Sequence, residues 1–321
     1  MCRARIWGDC TTCRDQVEFS MQIPAPIRDW MTLPPGFDPQ RPKALGAKLR
    51  DVAGFKRWFY LLLSSERQQI GVAWVDLGYM AKVFAHVSLP EDGLTSFSAE
   101  AMCPGPASRL RRNADGWLLQ AGGKALRLNL RQTGHLGLLN LSAPGFGLSA
   151  SWEQSHQSLL LAETGMPHHT HKAFGIPARW QLRLPDQLLT EQGVLGADVS
   201  YGYPPRHTRW YWAFANSPEL GFNLVEGFVG AAECALWQSG ELLPLAEGRF
   251  ERGENWQIQS ADGVLDLVFT PRSEYLDRTR LGLVSSDFVQ AYGRYRGELR
   301  LDGRVQQLDL PGVAEYQDTK W

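Results

Sequence analysis

Short runs that alternate hydrophobic and polar residues, separated by turn residues, cover most of the chain after residue 45. Successive side chains of a β-strand point to opposite faces, so this pattern predicts strands. The segment 255–271 (NWQIQSADGVLDLVFTP) predicts a hairpin turning at Ala261-Asp262-Gly263, and 293–310 (GRYRGELRLDGRVQQLDL) predicts another turning at Asp302-Gly303. No segment keeps a helical period beyond about two turns. We therefore expect an all-β protein whose antiparallel meanders close into barrels.

The first half of the chain shows the same pattern. KRWFYLLLSS (56–65) is strand-sized and rich in aromatic and aliphatic residues. The segment 109–141 predicts three or four strands, broken at Asp115-Gly116, Gly122-Gly123 and Thr133-Gly134.

Two interruptions divide the chain into three parts. Residues 1–44 comprise a leader and a proline-rich segment (23–42), which predicts an extended strap because proline disrupts helices and sheets. MPHHTHKAFGIP and LPDQ interrupt the strands again near residues 170–186. A length of 321 residues suits two domains. We therefore expect one barrel at 45–176 and a second at 177–321.

The composition argues against several classes of function. Hydrophobic residues make up 44% and charged residues 21% of the chain, as in a soluble globular protein. The net charge of −1 gives no reason to expect binding to nucleic acid or to an anionic membrane. No hydrophobic run reaches the length of a transmembrane helix, and the N-terminus lacks the pattern of a signal peptide. We expect a cytoplasmic protein without an integral membrane segment.

The cysteines and histidines form no recognisable metal signature. Cys10 and Cys13 form a C-x-x-C with Cys2 nearby, which is half of a zinc site, and we interpret this segment as a flexible leader with free thiols. His169 and His171 share a face of an extended chain, but a third ligand would have to come from elsewhere. The motifs of serine hydrolases, P-loop nucleotidases and Rossmann dehydrogenases are absent. We expect no metal and no cofactor.

The segment YGYPPRHTRWYWAF (201–214) concentrates aromatic and basic residues around two prolines. Pro204 and Pro205 cannot donate hydrogen bonds to a sheet, so a strand should begin at about Arg206. Neither face of that strand has a solvent-like or a purely apolar composition, which is typical of a wall between a cavity and packed protein. The candidate ligand-binding residues on and around this wall are Tyr201, Tyr203, Arg206, His207, Arg209, Trp210, Trp212, Asn223, His169 and His171.

The next segment, LGFNLVEGFVG (220–230), predicts the return strand of a hairpin. A symmetrical turn at residues 216–219 places Arg209 opposite Glu226 and Trp212 opposite Asn223. Opposite charges on paired strands lie within reach of each other. The Arg209–Glu226 pair is then either a buried ion pair that fixes the register of the barrel or part of a ligand pocket in which Glu226 does chemistry.

Seven segments occur in a fixed order between about residues 45 and 321. They are K-R-W-F-Y, V-D-L-G-Y, Y-G-Y-P-P-R-H-T-R-W-Y-W-A, G-F-N-L-V-E-G, L-W-Q-S-G, S-A-D-G-V-L-D-L-V-F-T-P and G-V-A-E. In this arrangement the chain resembles the bacterial domain-of-unknown-function family twenty-eight-oh-four. The resemblance implies two tandem lipocalin-like antiparallel β-barrels, related in fold to carotenoid hydratase (hydroxyneurosporene synthase) and tocopherol-cyclase-like proteins. Those proteins act on isoprenoid or polycyclic hydrophobic molecules without a redox cofactor.

The chain departs from the pattern of that family at two places. Cys234 stands where asparagine is usual, and Tyr316-Gln317 replace an Asp-His pair after Glu315. If that pair is functional in the relatives, part of their activity is altered or lost in this chain.

Three functions fit the sequence. The first is a cofactor-independent lyase or isomerase (a hydratase, cyclase or isomerase) that binds a lipid or isoprenoid-like hydrophobic small molecule. A buried carboxylic acid would protonate an alkene, and aromatic faces would stabilise the cation; Glu226 is the first candidate for the acid, followed by Asp198 and Glu315. The alternative is a non-catalytic lipid or pigment carrier, which needs only an apolar cavity and a polar anchor. The third is a structural or interaction protein in which the motif is packing alone.

Overall fold

The computed structural model describes residues 54–89, 95–105, 108–113, 116–153, 159–163, 168–238, 240–282 and 284–321. Within these ranges the chain forms two antiparallel sheets of 12 and 9 strands, so the predicted all-β class is confirmed. The leader, the proline-rich strap and Cys2, Cys10 and Cys13 lie outside the described residues. No α-helix within the described ranges has the length and hydrophobicity that a membrane span requires.

The first sheet runs in the order β4-β3-β2-β1-β12-β11-β9-β8-β7-β6-β5, and β10 also pairs with β11. Its strands are β1 (Lys56–Ser64), β2 (Gln69–Asp76), β3 (Met80–Leu89), β4 (Thr95–Pro104), β5 (Arg109–Asn113), β6 (Gly116–Gly122), β7 (Arg127–Thr133), β8 (Leu136–Ser142), β9 (Gly147–Glu153), β10 (Leu159–Glu163), β11 (His168–Arg183) and β12 (Leu188–Gly202). Strands β5 to β8 occupy the segment 109–141, for which the sequence predicted three or four strands. The sheet curls, and this brings Phe59 on β1 edge-on against Trp117 on β6 although the two strands are far apart in the strand order.

The second sheet runs in the order β16-β15-β14-β13-β21-β20-β19-β18-β17. Its strands are β13 (His207–Asn216), β14 (Leu220–Gly227), β15 (Ala235–Gln238), β16 (Glu241–Pro244), β17 (Gly248–Glu251), β18 (Trp256–Ser260), β19 (Leu265–Leu281), β20 (Val284–Leu301) and β21 (Arg304–Lys320), and a short 3-10 helix covers Gly230–Glu233. Both predicted hairpins are present. The second turns at Asp302 and Gly303, whose positive φ angles of 50° and 71° suit a tight two-residue turn.

The chain passes from the first sheet to the second at residues 203–206, between β12 and β13. The boundary predicted between residues 176 and 177 falls inside β11, and the sheet does not change there. The physical reason is a β-bulge between Ala173 and Ile176, which absorbs the irregular sequence without ending the strand. Gly175 has a positive φ of 64° at this bulge, and an added Cβ would lie 2.2 Å from the ring of Trp237.

Strand β1 is buried on both faces and joins two cores. Phe59 and Leu61 belong to the core enclosed by the first sheet. Tyr60 and Leu62, which point the other way, belong to the core shared with the second sheet. Tyr60 packs edge-on against Trp212, with ring centroids 5.5 Å apart. The two sheets therefore pack against each other through this strand.

Candidate active site between the two sheets

A cavity of about 190 Å³ lies between the two sheets. Strands β1, β2, β3, β11 and β12 form one wall, and β13, β14, β19, β20 and β21 form the other. Much of the lining is aromatic, including Trp58, Trp210, Trp212, Phe228 and Trp321. The sequence had predicted a cavity inside a barrel. The observed cavity lies instead where the two sheets meet.

Strand β13 has the two-faced character that its sequence predicted. Trp210 and Trp212 line the cavity. Tyr211 points to the opposite face, where its ring stacks on Phe250 with the centroids 5.6 Å apart. The strand begins at His207, one residue after the predicted start. It is therefore a wall with the cavity on one side and packed protein on the other.

Glu315 on β21 is a carboxyl group of the cavity whose pKa is strongly raised. It lies opposite Trp212 in the sheet and is 7% exposed. Burial raises the pKa of Glu315 to about 7, because a buried carboxylate loses its hydration. Trp210 Nε1 donates to Oε1 at 2.9 Å and Gln290 Nε2 donates to Oε2 at 2.7 Å, and both bonds act to lower that pKa. Each oxygen keeps a second lone pair, so the protonated form is compatible with both bonds.

Lys172 on β11 connects two further carboxyl groups of the same cavity. Its Nζ lies 2.7 Å from Asp198 Oδ2 and 3.1 Å from Glu233 Oε2. Burial lowers the pKa of Lys172, but Asp198 and Glu233 raise it, and the net pKa is raised. Burial raises the pKa of Glu233, which Lys172 lowers only in part. Glu315, Asp198, Glu233 and Lys172, which we call the buried acid cluster, thus combine three carboxyl groups with one ammonium.

A chain of hydrogen bonds extends from Glu315 to the first sheet. Gln290 Oε1 accepts a hydrogen bond from the Tyr292 hydroxyl at 2.5 Å, and the Tyr60 hydroxyl donates to that of Tyr292 at 3.3 Å. Burial raises the pKa of both tyrosines, so both stay protonated. Gln290 is therefore held in the orientation that presents its amide N–H to Glu315.

A second lysine lies on the same cavity wall. Lys82 on β3 forms ion pairs with Glu100 at 2.9 Å and with Asp277 at 2.8 Å. Lys82 and Asp277 line the cavity, and Glu100 is half exposed. We call these three residues the outer cluster.

The predicted pairing of Arg209 with Glu226 is wrong. Glu226 lies opposite Tyr211, two residues away from the predicted register, and its Oε2 accepts a hydrogen bond from the Phe250 backbone N–H at 2.8 Å. The backbone N–H of Ser217 donates a hydrogen bond to the carbonyl oxygen of Leu220, so only Pro218 and Glu219 lie between the two paired residues. The prediction assumed four turn residues. Glu226 does not line the cavity among the described residues.

Asn216 explains the shift in register. The predicted turn included it, but in the structure it ends strand β13 and is fully buried. Its Oδ1 accepts a hydrogen bond from the backbone N–H of Gly175 in the first sheet at 2.7 Å. A contact between the two sheets therefore holds Asn216 in the strand.

The structure brings together some of the sequence-predicted site residues. Asp198, Glu315, Trp210 and Trp212 all line the cavity. Asn223 is buried behind it, where its Oδ1 accepts a hydrogen bond from Trp212 Nε1 at 2.6 Å although the two residues are not opposite each other.

The other predicted ligand-binding residues do not line the cavity among the described residues. Tyr201 is buried in the core of the first sheet, and Tyr203 packs against Phe55. Arg206 and Arg209 are exposed, as is His207, which pairs with Asp318 at 2.8 Å. The side chains of His169 and His171 lie outside the described residues.

Sequence reasoning missed Glu233 and Gln290. Each is a single polar residue within a largely apolar run, which is a weak but readable sign of a buried polar group. No group of three or more His, Cys, Asp or Glu side chains in the described part of the chain is arranged to hold a metal ion.

The fold and cavity define a two-sheet, lipocalin-like β protein with a buried acid cluster between its sheets. Residues 42–321 match the domain of unknown function DUF2804, and the chain belongs to that family. The resemblance in the sequence is thereby confirmed. No curated protein matches the sequence.

Solved structures share the fold at low sequence identity. CghA with Sch210972 is 10% identical with a TM-score of 0.53, over 83% of this chain and 88% of that chain. CghA alone is 11% identical with a TM-score of 0.53, over the same shares. Kievitone hydratase from Nectria haematococca is 9% identical with a TM-score of 0.49, over 84% of this chain and 90% of that chain. At these identities the likeness to CghA concerns the fold alone, and it agrees with the predicted lipocalin-like class.

Proposed function

We propose that the cavity binds a hydrophobic small molecule, lipid or isoprenoid-like, and that the protein acts on it as a cofactor-independent hydratase, cyclase or isomerase. Glu315 is the catalytic acid in this proposal. The observation that carries it is a buried carboxyl group with a pKa of about 7 beside the aromatic rings of the cavity wall. Such a group holds a proton near neutral pH and can give it away.

The proposed reaction starts with transfer of the Glu315 proton to a carbon of a double bond. A C–H bond forms, the π bond breaks, and a carbocation and a Glu315 carboxylate result. In a hydration, water then attacks the cation and returns one proton to Glu315. In an isomerisation or cyclisation, Glu315 takes the proton from a neighbouring carbon. Either course restores the acid, so one carboxyl group and no external oxidant or reductant suffice.

The aromatic walls support the cationic intermediate. The rings of Trp210 and Trp212 lie on the same face of β13 and β21 as Glu315, and Trp58 and Phe228 face the same cavity. A cation over an aromatic face gains about 0.5 to 2 kcal/mol per ring, with the larger value where water is excluded. The same rings keep water away from the cation except where the reaction uses it.

Isotope incorporation tests this function. Native mass spectrometry of the protein purified from its own host identifies a bound ligand. That ligand is then incubated with the protein in D₂O, where the Glu315 carboxyl carries deuterium. We expect the wild type to incorporate deuterium at carbon and Glu315→Gln to lose at least about two orders of magnitude in rate, as for loss of a general acid. Incorporation should also decline above about pH 7, where Glu315 loses its proton.

Glu226→Gln is the matched control. Glu226 lies opposite Tyr211, whose ring points to the face away from the cavity, and Glu226 does not line the cavity. This variant should retain the wild-type rate. Full deuterium incorporation by Glu315→Gln would refute the role of Glu315. A bound ligand that the wild type never deuterates would instead identify a carrier of lipid or pigment.

A further inference from the structure

The basic side chains of the cavity wall are already paired. Lys172 lies within 3.1 Å of two carboxylates, and Lys82 within 2.9 Å of two others. These are the only lysine or arginine side chains among the described residues that line the cavity. An anionic ligand would therefore have to displace a carboxylate from one of them.

The cavity has an excess of carboxyl groups. Asp198, Glu233 and Asp277 line it beside two lysines, and Glu315 adds a further negative charge once the pH rises through its pKa of about 7. The acids lie in both the buried acid cluster and the outer cluster, so both ends of a bound molecule would meet them. Two like charges in a medium of low dielectric repel more strongly than they do in water.

His168 is the remaining basic side chain of the wall. Its ring packs edge-on between those of Trp58 and Phe228, with centroids 5.7 and 5.2 Å away. His168 is 1% exposed and is covered by these two rings.

We propose that the cavity discriminates against anions and that its ligand is a hydrophobic molecule without a carboxylate or phosphate group. This inference rests on the proposed function and narrows its ligand class. Fatty-acid anions and prenyl phosphates are excluded, whereas uncharged alkenes, alcohols and ketones are accepted. The paired lysines set this selectivity, because neither is free to neutralise an incoming negative charge.

Binding of decan-1-ol and decanoate at pH 7.5 tests the inference, since the two probes share a chain and differ in charge. Quenching of tryptophan fluorescence reports binding, because four tryptophans line the cavity. We expect the alcohol to bind at least about tenfold more tightly than the carboxylate. Equal or tighter binding of decanoate would overturn the selectivity and leave the proposed function standing. Failure of both probes to bind would overturn both.

Two variants should weaken the selectivity for the uncharged probe. Glu233→Gln removes one of the two carboxylates from Lys172, and Asp277→Asn removes one of the two from Lys82. Each should tighten decanoate binding by about tenfold while decan-1-ol binding stays unchanged. The two sites are separate, so the test survives misfolding of one variant. Glu226→Gln should change neither affinity, and unchanged decanoate binding in both cavity variants would contradict the inference.

Discussion

Two lysines of the cavity wall each bind two carboxylates, but they do so in different surroundings. Lys172 is 2% exposed, and its partners Asp198 and Glu233 are also largely buried. Lys82 is 14% exposed, and its partner Glu100 is 50% exposed. In both clusters one lysine binds two carboxylates. Lys172 and Glu233 are more deeply buried than Lys82 and Glu100, and a third carboxyl group, Glu315, lies close enough to Asp198 and Lys172 for its pKa to be affected.

The positions of the strands explain the difference. Lys172 lies on β11, in the interior of the first sheet, and the short helix that carries Glu233 covers it from the second half of the chain. Lys82 lies on β3, next to the edge strand β4 that carries Glu100. Burial, rather than the number of ion pairs, therefore decides which cluster has unusual chemistry.

Among substitutions in the two clusters, that of Lys172 should lower the free energy of unfolding most. Lys172→Met leaves Asp198 and Glu233 buried without their ammonium, and removal of one partner from a buried ion pair costs about 3 to 5 kcal/mol. We expect a loss of that size in the free energy of unfolding at pH 7, measured by urea denaturation. A loss below about 1 kcal/mol would show that the buried cluster behaves like a surface pair.

Glu315→Gln should remove a pH dependence that only the buried acid cluster has. The folded-state pKa of Glu315 is raised to about 7, above the ordinary value of 4.5 for a glutamate, so the folded state binds the proton more tightly than the unfolded state. The resulting stability is present below about pH 4.5 and is lost as the pH rises through 7, a change of about 3 kcal/mol.

Urea denaturation between pH 4 and pH 8 measures this effect. The free energy of unfolding of Glu315→Gln minus that of the wild type should increase by about 3 kcal/mol over this range. A difference independent of pH would contradict the raised pKa of Glu315.

Trp210→Phe should have a smaller effect, which acts on the pKa of Glu315 in the buried acid cluster. It removes the indole N–H that donates to Glu315 Oε1, and a hydrogen bond to a charged group contributes about 2 kcal/mol. The pKa of Glu315 should rise further, which moves the pH dependence of stability upward. Trp212→Phe is the control, since Trp212 donates to Asn223 instead. Equal shifts in the two variants would contradict a direct effect of the Trp210 hydrogen bond.

Lys82→Met should have the smallest effect. Its partner Glu100 is 50% exposed, Lys82 is itself less buried than Lys172, and an ion pair with an exposed partner contributes at most about 1 kcal/mol. The same urea measurement at pH 7 should therefore show a loss no larger than this. A loss as large as that of Lys172→Met would mean that the outer cluster is buried in solution.

Much of the fold follows from local sequence. Asp302-Gly303 and Asp262-Gly263 predict their turns because these residues adopt turn geometry at little cost. The register of β13 and β14 did not follow, because Asn216 and Ser217 are both good turn residues and only the bond from Gly175 decides that Asn216 stays in the strand. The error of two residues preserved which face each side chain occupies. Trp210 and Trp212 were therefore placed correctly while Glu226 was paired wrongly.

By itself, the sequence determined the all-β class, the main hairpins and the two-faced strand with its tryptophans, because these depend on period-two patterns and turn residues. The tertiary structure decided which carboxyl group became unusual. Glu226 and Glu315 lie on the two strands that flank β13, but only Glu315 faces the cavity, whose opposite wall is formed by the first sheet. Residues more than a hundred positions apart, such as Lys172 and Gln290, provide its surroundings. A pKa depends on burial and neighbouring charges, which come from packing between distant segments and not from local sequence.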